Sequence, residues 1–278
     1  MEKQEKKIQQ AKDGDIRAFQ EMFVVFQDQL KSYLYRLMAN RSEAEDIVHD
    51  TFIRTYEKLY TFDQRSSLKT WVFQIATNLA YNLLKKRKRW SVDVSEQAKT
   101  IVINDQSLSG KIESINRNSH FGSYDIKEHI DTCFTCISKS LPIENQIALL
   151  LKDVYDFTVK EIMLILDKSE GQVKYNIQKA RKSMEDIFDN RCALVNKKGT
   201  CHQCSELNGW FNPKQNQQTA LLKIKMVKEA KQKNKEDLYK MRTALIKAIN
   251  PLKSTGNELQ EILLECNRLA MGESNIDV

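Results

Sequence analysis

Glycine and proline are scarce in this chain of 278 residues, which contains eight glycines and three prolines. Sandwiches and barrels need a tight turn after every short strand, and these two residue types supply most of such turns. A many-stranded fold is therefore excluded, and the sequence predicts an all-α protein. Hydrophobic residues make up 41% of the chain and charged residues 29%, so there is enough apolar content for a buried core.

Long apolar runs are also absent. No stretch reaches the length that a bilayer-spanning helix needs, and the opening residues MEKQEKKIQQ lack the apolar core of a signal peptide. We therefore expect a cytoplasmic protein with no membrane insertion. Its six cysteines are then expected to be reduced, which leaves burial and metal ligation as the two interpretations to compare.

Three amphipathic stripes predict one helical unit over residues 1–90. Apolar residues recur every three or four positions over 16–37, 44–59 and 72–83, which is the spacing of a helix that buries one face. The third helix is predicted to end in five consecutive basic residues, Lys85–Arg89. Cations at a helix C-terminus complement the helix dipole, but five in succession exceed that need.

A linker and a second helical unit follow. Periodicity fades after residue 90 and polar residues become more frequent, so we expect a linker over 91–139. Within residues 140–190, Thr158–Glu161 and Ser169–Gln172 each fit a capping box, in which two side chains satisfy free backbone N–H groups. Two short capped helices joined by a tight turn predict a helix-turn-helix.

The second capped helix is cationic. It has four basic residues and no acidic residue between Gly171 and Met184, inside a unit of negative net charge. A solvated surface is the ordinary explanation of a basic helix, but a cationic helix in an acidic unit is the pattern expected for contact with a polyanion. The side chains expected on its exposed, DNA-reading face are Gln172, Lys174, Tyr175, Asn176, Lys179, Arg181 and Lys182.

Two motifs in this order resemble the extracytoplasmic-function sigma factors of bacterial RNA polymerase. The first is AEDIVHDTFIRTYEKL followed by LKTWVFQIATNLAYNLLKKRKR, and the second is FTVKEIMLILDKSEGQVKYNIQKARKSM. Together they cover roughly residues 10–90 and 140–190. The resemblance implies a promoter-specificity subunit without catalysis of its own. Such a subunit binds core RNA polymerase, recognises two elements of promoter DNA and melts the one nearer the start site.

The resemblance also implies roles for particular residues. Residues 44–59 would dock on the polymerase clamp, although from the residues alone they are also explained as a core helix. Residues 62–69 would capture a flipped base, although from the residues alone they are also explained as an ordinary connection between helices. The implied polymerase contacts are Glu43, Glu45, Asp46, Asp50 and Phe52. The implied DNA contacts, besides the face described above, are Arg65, Lys69, Asn78, Asn82, Lys85, Lys86, Arg87, Arg89 and Ser169. The family requires no cofactor, and an anti-sigma factor is a candidate further partner.

The cysteines allow more than one interpretation. The candidate ligands of a zinc ion are His129, Cys133, Cys136, Cys201 and Cys204, the first three with a spacing similar to the zinc motif of anti-sigma factors. The two Cys-x2-Cys pairs are separated by 64 residues, beyond the spacing of a zinc ribbon. They flank one small domain, however, and the ends of such a domain often lie close together. Zinc binding, redox sensing and plain burial all remain open.

Residues 191–278 extend beyond both motifs. Apolar stripes predict a long lysine-rich helix over 221–249 and a shorter one over 259–269, paired as a hairpin. Two other functional classes remain open, a helix-turn-helix regulator that does not bind polymerase and a metal- or redox-sensing thiol protein. A regulator of this kind needs neither the acidic segment over residues 44–59 nor a helix that melts promoter DNA, the role that the resemblance implies for the third predicted helix. A zinc or thiol enzyme would need a scaffold such as an HExxH helix, which the sequence lacks.

Overall fold

The protein is built from helices. The computed structural model describes residues 2–118, 125–212, 224–253 and 257–273. Within these ranges the backbone forms helices, turns and one isolated bridge, which confirms the predicted all-α fold. None of the helices described is both long enough and apolar enough to span a bilayer.

Four helices form the N-terminal unit. They are α1 (Glu2–Lys12), α2 (Ile16–Met38), α3 (Arg41–Glu57) and α4 (Leu68–Leu84). The last three confirm the predicted helices, whereas α1 was not predicted. Asp15, Asn40 and Ser67 cap the starts of α2, α3 and α4, because each side chain accepts a backbone N–H that the helix leaves free.

Aromatic rings hold α3 against α2. The rings of Phe19 and Phe23 each lie 5.2 Å, centroid to centroid, from the ring of Phe52. Phe19 also contacts Tyr56 at 5.5 Å. Phe19 and Phe23 are almost fully buried, and burial of such a ring contributes roughly 1.5–3 kcal/mol. The apolar stripe predicted for α2 is therefore the core of this unit.

Most of the described residues between 91 and 139 are helical, which corrects the prediction of an irregular linker; residues 119–124 lie outside the described ranges. The helices are α5 (Val94–Asn104), α6 (Gln106–Asn118) and α7 (Ile126–Ser138). Each of α5 and α6 buries only two apolar residues, Val94 and Ala98 in α5 and Leu108 and Ile112 in α6. So few positions give a weak periodic signal, and the helices are stabilised by packing on a partner that is distant in sequence.

The helix-turn-helix forms as predicted. Helix α8 (Ile143–Leu149) continues into a π turn over Leu150–Val154, and α9 (Val159–Leu166) and α10 (Glu170–Arg191) follow. Both capping boxes are present, at Thr158 and at Ser169. Between the two helices Asp167 adopts a left-handed conformation with φ of 50°, which short polar side chains tolerate and which ends α9.

The C-terminal extension departs from the prediction. Its described helices are α11 (Gln203–Phe211), α12 (Lys225–Glu229), α13 (Lys235–Lys247) and α14 (Asn257–Ala270). The single helix predicted over 221–249 is wrong, because the chain turns after α12 and Asn234 caps a new helix; residues 213–223 lie outside the described ranges. Helix α13 packs on α7 and α10, whereas α14 packs on α5, α6 and α7, so they are not arranged as the predicted hairpin.

One buried arginine joins these parts. The side chain of Arg36, on α2, is 1% exposed. It donates hydrogen bonds of 2.7–3.1 Å to Asp131 on α7, to Ser32, to the Tyr155 hydroxyl and to the carbonyls of Ile246 and Ile249. All five N–H groups of the guanidinium therefore have an acceptor. A buried charge is tolerated only with such partners, so the N-terminal unit, α7, the helix-turn-helix unit and the C-terminal extension are tied together here.

Removal of the negative partner of Arg36 tests this link. The Asp131→Asn variant keeps the shape of the side chain but leaves the guanidinium charge uncompensated, so we expect the free energy of unfolding to fall by about 3–5 kcal/mol. Urea denaturation measures this change. The control is Asp28→Asn, which removes the exposed pair with Lys253 and should cost less than about 1 kcal/mol. Equal, small losses in the two variants would contradict the role given to Arg36.

Candidate nucleic-acid and polymerase interfaces

Helix α10 presents a basic face, which we define as Lys174, Tyr175, Lys179 and Lys182. All four side chains are exposed. The Lys179 ammonium lies 5.6 Å from the centroid of the Tyr175 ring, and Lys174 pairs with Glu170 at 2.6 Å. Exposed contacts of this kind are weak, so either lysine can exchange its neighbour for a DNA phosphate.

Ser169 and Gln172 maintain the N-terminus of α10. The Ser169 hydroxyl accepts the Gln172 N–H at 3.4 Å, and the Gln172 side-chain oxygen accepts the Ser169 N–H at 3.0 Å. Both residues are exposed. They lie at the N-terminal end of α10, which is the end of the recognition helix that contacts base edges in helix-turn-helix proteins. Their hydrogen bonds to each other fix the residue at which α10 begins.

Asn176, expected on the DNA-reading face, is buried, whereas Arg181, whose side chain is 42% exposed, is held by a partner within the protein. Asn176 is 8% exposed, so the prediction that it faces solvent is wrong. Arg181 binds Asp153 with both sides of its guanidinium, at 2.8 and 2.5 Å, and Asp153 also accepts the Tyr239 hydroxyl at 2.7 Å. The carboxylate raises the pKa of Arg181. Arg181 thus links α10 to the π turn and to α13, a role that its own sequence neighbourhood does not reveal.

The basic run after α4 divides into two groups. The helix ends at Leu84, so the run follows the helix rather than forming its last turn. Lys85 and Lys86 are exposed. Arg87 instead chelates Glu43 at 2.7 and 2.8 Å, and the hydrogen bonds to Glu43 raise its pKa.

Arg89 points into the protein. Its guanidinium donates to the side chain of Gln146 and to the carbonyl of Ser138, and burial lowers its pKa to about 10. Four of the contacts predicted for α4 and the basic run that follows it are therefore exposed. They are Lys85 and Lys86 after α4, and Asn78 and Asn82, which lie one turn apart on α4.

The first turn of α4, rather than the loop before it, touches the helix-turn-helix unit. Arg65 is exposed and pairs with Asp63 at 2.5 Å. The Lys69 ammonium lies 4.6 Å from the centroid of the Phe157 ring, and burial lowers its pKa. Next to it, the Thr70 hydroxyl donates to Glu161 at 3.1 Å. Arg65 is accessible to a ligand as the structure stands, whereas Lys69 is part of the contact between the two units.

Three of the five predicted polymerase contacts form an acidic face on α3, which we define as Glu45, Asp46 and Asp50. All three are exposed. Glu43 is held by Arg87, and Phe52 is half-buried among the aromatic rings described above. The apolar stripe of α3 is thus core, and its acidic side faces solvent, so the two interpretations of this segment apply to opposite sides of one helix.

Five cysteines and one histidine line a single cavity, which we call the thiol cavity. It has a volume of about 50 Å³ and lies between α7, the end of α10, the start of α11 and α14. The lining donors are His129, Cys133, Cys136, Cys192, Cys201 and Cys204. Both predicted Cys-x2-Cys pairs therefore meet. Cys192 was not among the candidate ligands, although its position nine residues before Cys201 was a signal.

Burial shifts the pKa of Cys133, Cys136 and His129 in the thiol cavity in the direction that favours the uncharged form. Burial raises the pKa of Cys136 to about 12 and that of Cys133 well above its usual range, and burial lowers the pKa of His129 to about 4. Cys133 is raised further by the neighbouring cysteines. In the part of the chain that is described, no three His, Cys, Asp or Glu side chains form a group that could hold a metal ion in the arrangement that the structure shows.

Two family models match the chain. Sigma-70 region 2 matches residues 22–90, which include α2 to α4, and Sigma-70 region 4 matches residues 132–184, which include the helix-turn-helix. The second match begins inside α7, before the boundary at residue 140 that the sequence indicated.

Relatives with a known role match over most of their own length. The ECF RNA polymerase sigma factor SigW of Bacillus subtilis (strain 168) is 28% identical over 181 residues, which are 64% of this chain and 93% of that protein. The ECF RNA polymerase sigma-E factor of Escherichia coli (strain K12) is 25% identical over 181 residues, 64% of this chain and 91% of that protein. Among solved structures, the sigma factor RpoE in complex with the anti-sigma factor NepR from Bartonella quintana has a TM-score of 0.41 and 19% identity, covering 61% of this chain and 96% of that one.

Both sigma regions thus occur in one chain and in the order that the two sequence motifs indicated. The curated relatives are covered almost completely, and neither family match extends past residue 184. Over residues 22–90 and 132–184 this chain matches the two sigma-70 regions, and over 64% of its length it is similar to extracytoplasmic-function sigma factors.

Proposed function

We propose that the chain is a promoter-specificity subunit that binds core RNA polymerase, recognises two promoter elements and melts the element nearer the start site. The observation that carries the proposal is the presence of both sigma regions in one chain, with an exposed basic face on the recognition helix of the second. A helix-turn-helix regulator needs only the second region, so that alternative is not favoured.

In this role the chain selects the start site, and polymerase catalyses the reaction. The chain itself is then no enzyme, needs no cofactor for promoter selection and works in the cytoplasm with polymerase. An anti-sigma factor remains an expectation from the family.

The basic face is proposed to contact the distal element. Its lysines are exposed on one helix, near the capped N-terminus that a helix-turn-helix directs into the major groove. Lysine contacts to phosphate position the helix, and Tyr175 adds an exposed ring beside them. Arg181 is left out of this set because Asp153 occupies its guanidinium.

A second exposed set is proposed to contact the start-proximal element. It consists of Asn78, Asn82, Lys85 and Lys86, and Arg65 lies in the loop that precedes α4. Asparagine can bond the edge of an unpaired base, and the lysines can neutralise phosphate along the strand. Lys69, Arg87 and Arg89 can take part only after they leave their protein partners.

The acidic face on α3 is proposed to dock on polymerase. Three carboxylates on one exposed helix side complement a basic partner surface, and charge complementarity raises the rate and the specificity of association.

The first prediction concerns the basic face. The double variant Lys174→Ala, Lys179→Ala should lower the affinity of reconstituted holoenzyme for promoter fragments that the wild-type holoenzyme selects. Loss of one or two phosphate contacts should also flatten the plot of log affinity against log salt by about 1–2 in slope. Fluorescence anisotropy at several salt concentrations measures both effects.

A matched control for this variant is Lys197→Ala, Lys198→Ala, which removes two exposed lysines that lie outside α10. This control should leave affinity and slope unchanged. An equal loss in both variants would mean that total charge, rather than the basic face, determines binding.

The second prediction concerns the acidic face. The double variant Asp46→Lys, Asp50→Lys should weaken association with core polymerase about tenfold or more, because like charges then face each other across the interface. Co-elution and a binding titration measure it, with circular dichroism to show that the helices persist. The control Glu236→Lys, Glu258→Lys makes the same charge change at exposed sites on α13 and α14. Unchanged association of the α3 variant would remove this face from the interface.

A further inference from the structure

The thiol cavity brings together cysteines from three separate parts of the chain. Cys133 lies on α7, Cys192 directly follows α10, and Cys201 and Cys204 flank the start of α11. The cavity, at about 50 Å³, is large enough for one ion and too small for an organic cofactor. Convergence of soft donors from distant positions distinguishes this place from a lone buried cysteine.

Cys133 lies among three other donors of the cavity. It has electrostatic interactions with Cys192, Cys201 and Cys204, whereas Cys136 has one with Cys201 alone among the cysteines. Cys136 and His129 have hydrogen-bond partners on α14. The Asn267 amide donates to the Cys136 sulfur at 3.5 Å, and His129 Nδ1 lies 3.2 Å from the side-chain oxygen of Gln260.

The chain between Cys192 and Cys201 is folded to bring these two residues side by side. They form an isolated parallel bridge, in which the Cys201 N–H donates to the Arg191 carbonyl at 2.8 Å and the Ala193 N–H donates to the Cys201 carbonyl at 3.1 Å. Gly199 makes this possible, because a Cβ there would lie 2.7 Å from the backbone of residues 191–193. Burial raises the pKa of the Cys201 thiol, and the hydrogen bond from the Gln203 N–H to its sulfur offsets part of that shift.

A buried cation next to the thiols points to negative charge in the cavity. Arg242 on α13 is 3% exposed, and within the described residues it forms no ion pair with a carboxylate. Its guanidinium stacks on Phe188, 3.4 Å from the ring centroid, and reaches the Cys192 sulfur at 3.9 Å. Its Nε atom is buried without a hydrogen-bond acceptor. A buried arginine is stable only with a compensating charge, and no carboxylate within the described residues supplies one to Arg242.

We propose that Cys133, Cys192, Cys201 and Cys204 bind one Zn²⁺ ion as a tetrathiolate. Zinc replaces four thiol protons, which pass to solvent, so four Zn–S bonds form with no change of oxidation state and the centre carries a net charge of −2. That charge lies beside Arg242. Zn–S bonds of about 2.3 Å place the sulfurs roughly 3.8 Å apart, so ligation draws side chains together that the protein already holds around one cavity. The ion then fastens region 4 to the C-terminal extension.

The experiment is elemental analysis of the full chain, purified under reducing conditions with Zn²⁺ supplied. We expect one zinc ion per chain, and Co²⁺ in its place should give the visible absorption of a tetrahedral thiolate centre. The Cys201→Ser, Cys204→Ser double variant should lose at least nine-tenths of the metal. Cys266→Ser is the matched control, because Cys266 is buried on α14 outside the cavity, and it should keep the metal. Cys136→Ser should keep it as well.

A second variant covers the case in which loss of ligands unfolds the protein. Gly199→Ala leaves all four cysteines in place but disturbs the bridge, so we expect Zn²⁺ affinity to fall at least tenfold while the helical circular dichroism persists. The proposal is overturned if the wild-type chain holds less than a tenth of an equivalent of Zn²⁺ and gives no cobalt–thiolate absorption. The proposal is also overturned if the intact mass of the chain is two mass units below that of the fully reduced chain, which shows a disulfide in place of the metal. Loss of as much metal in Cys266→Ser as in the double variant would overturn it as well. None of these results bears on the sigma function.

Discussion

Arg36 carries a full positive charge at a place that almost no water reaches, and the arrangement of the whole molecule follows from its acceptors. They come from α2 itself, from α7, from the turn before the helix-turn-helix and from the end of α13. These segments lie up to 213 residues apart in the chain. Because a buried guanidinium without its acceptors is strongly destabilising, none of these segments can leave without cost to the others. The two sigma regions and the C-terminal extension therefore share one core in this structure.

Packing within the protein determines which basic side chains are available to bind DNA. Lys69 and Arg89 contact the helix-turn-helix unit from the N-terminal unit. Arg87 and Arg181 instead pair with carboxylates within their own units. The lysines of α10 and those following α4 lie on the outside. Sequence alone treats all of these cations as equivalent, yet packing divides them into a set that stabilises the fold and a set that can bind phosphate. The proposed promoter contacts rest on the second set.

Local features were predictable from the sequence because their causes are local. The capping boxes at Thr158 and Ser169 depend on residues three positions apart, and the stripes of α2 to α4 follow the period of the helix. The helices over 94–118, the burial of Asn176 and the pairing of Arg181 with Asp153 were missed, because each depends on packing between helices rather than on residues a few positions apart. The meeting of the two cysteine pairs was left open for the same reason, and Cys192 became a candidate ligand only when the fold placed it beside Cys201.

The most direct test of the account is transcription by the purified full chain with core bacterial RNA polymerase on a genomic DNA library, with start sites mapped by sequencing. We expect discrete start sites that core polymerase alone does not produce, preceded at fixed distances by two shared sequence elements. If the folded chain binds duplex DNA but yields the same starts as core polymerase alone, the central claim that it is a promoter-specificity subunit is contradicted.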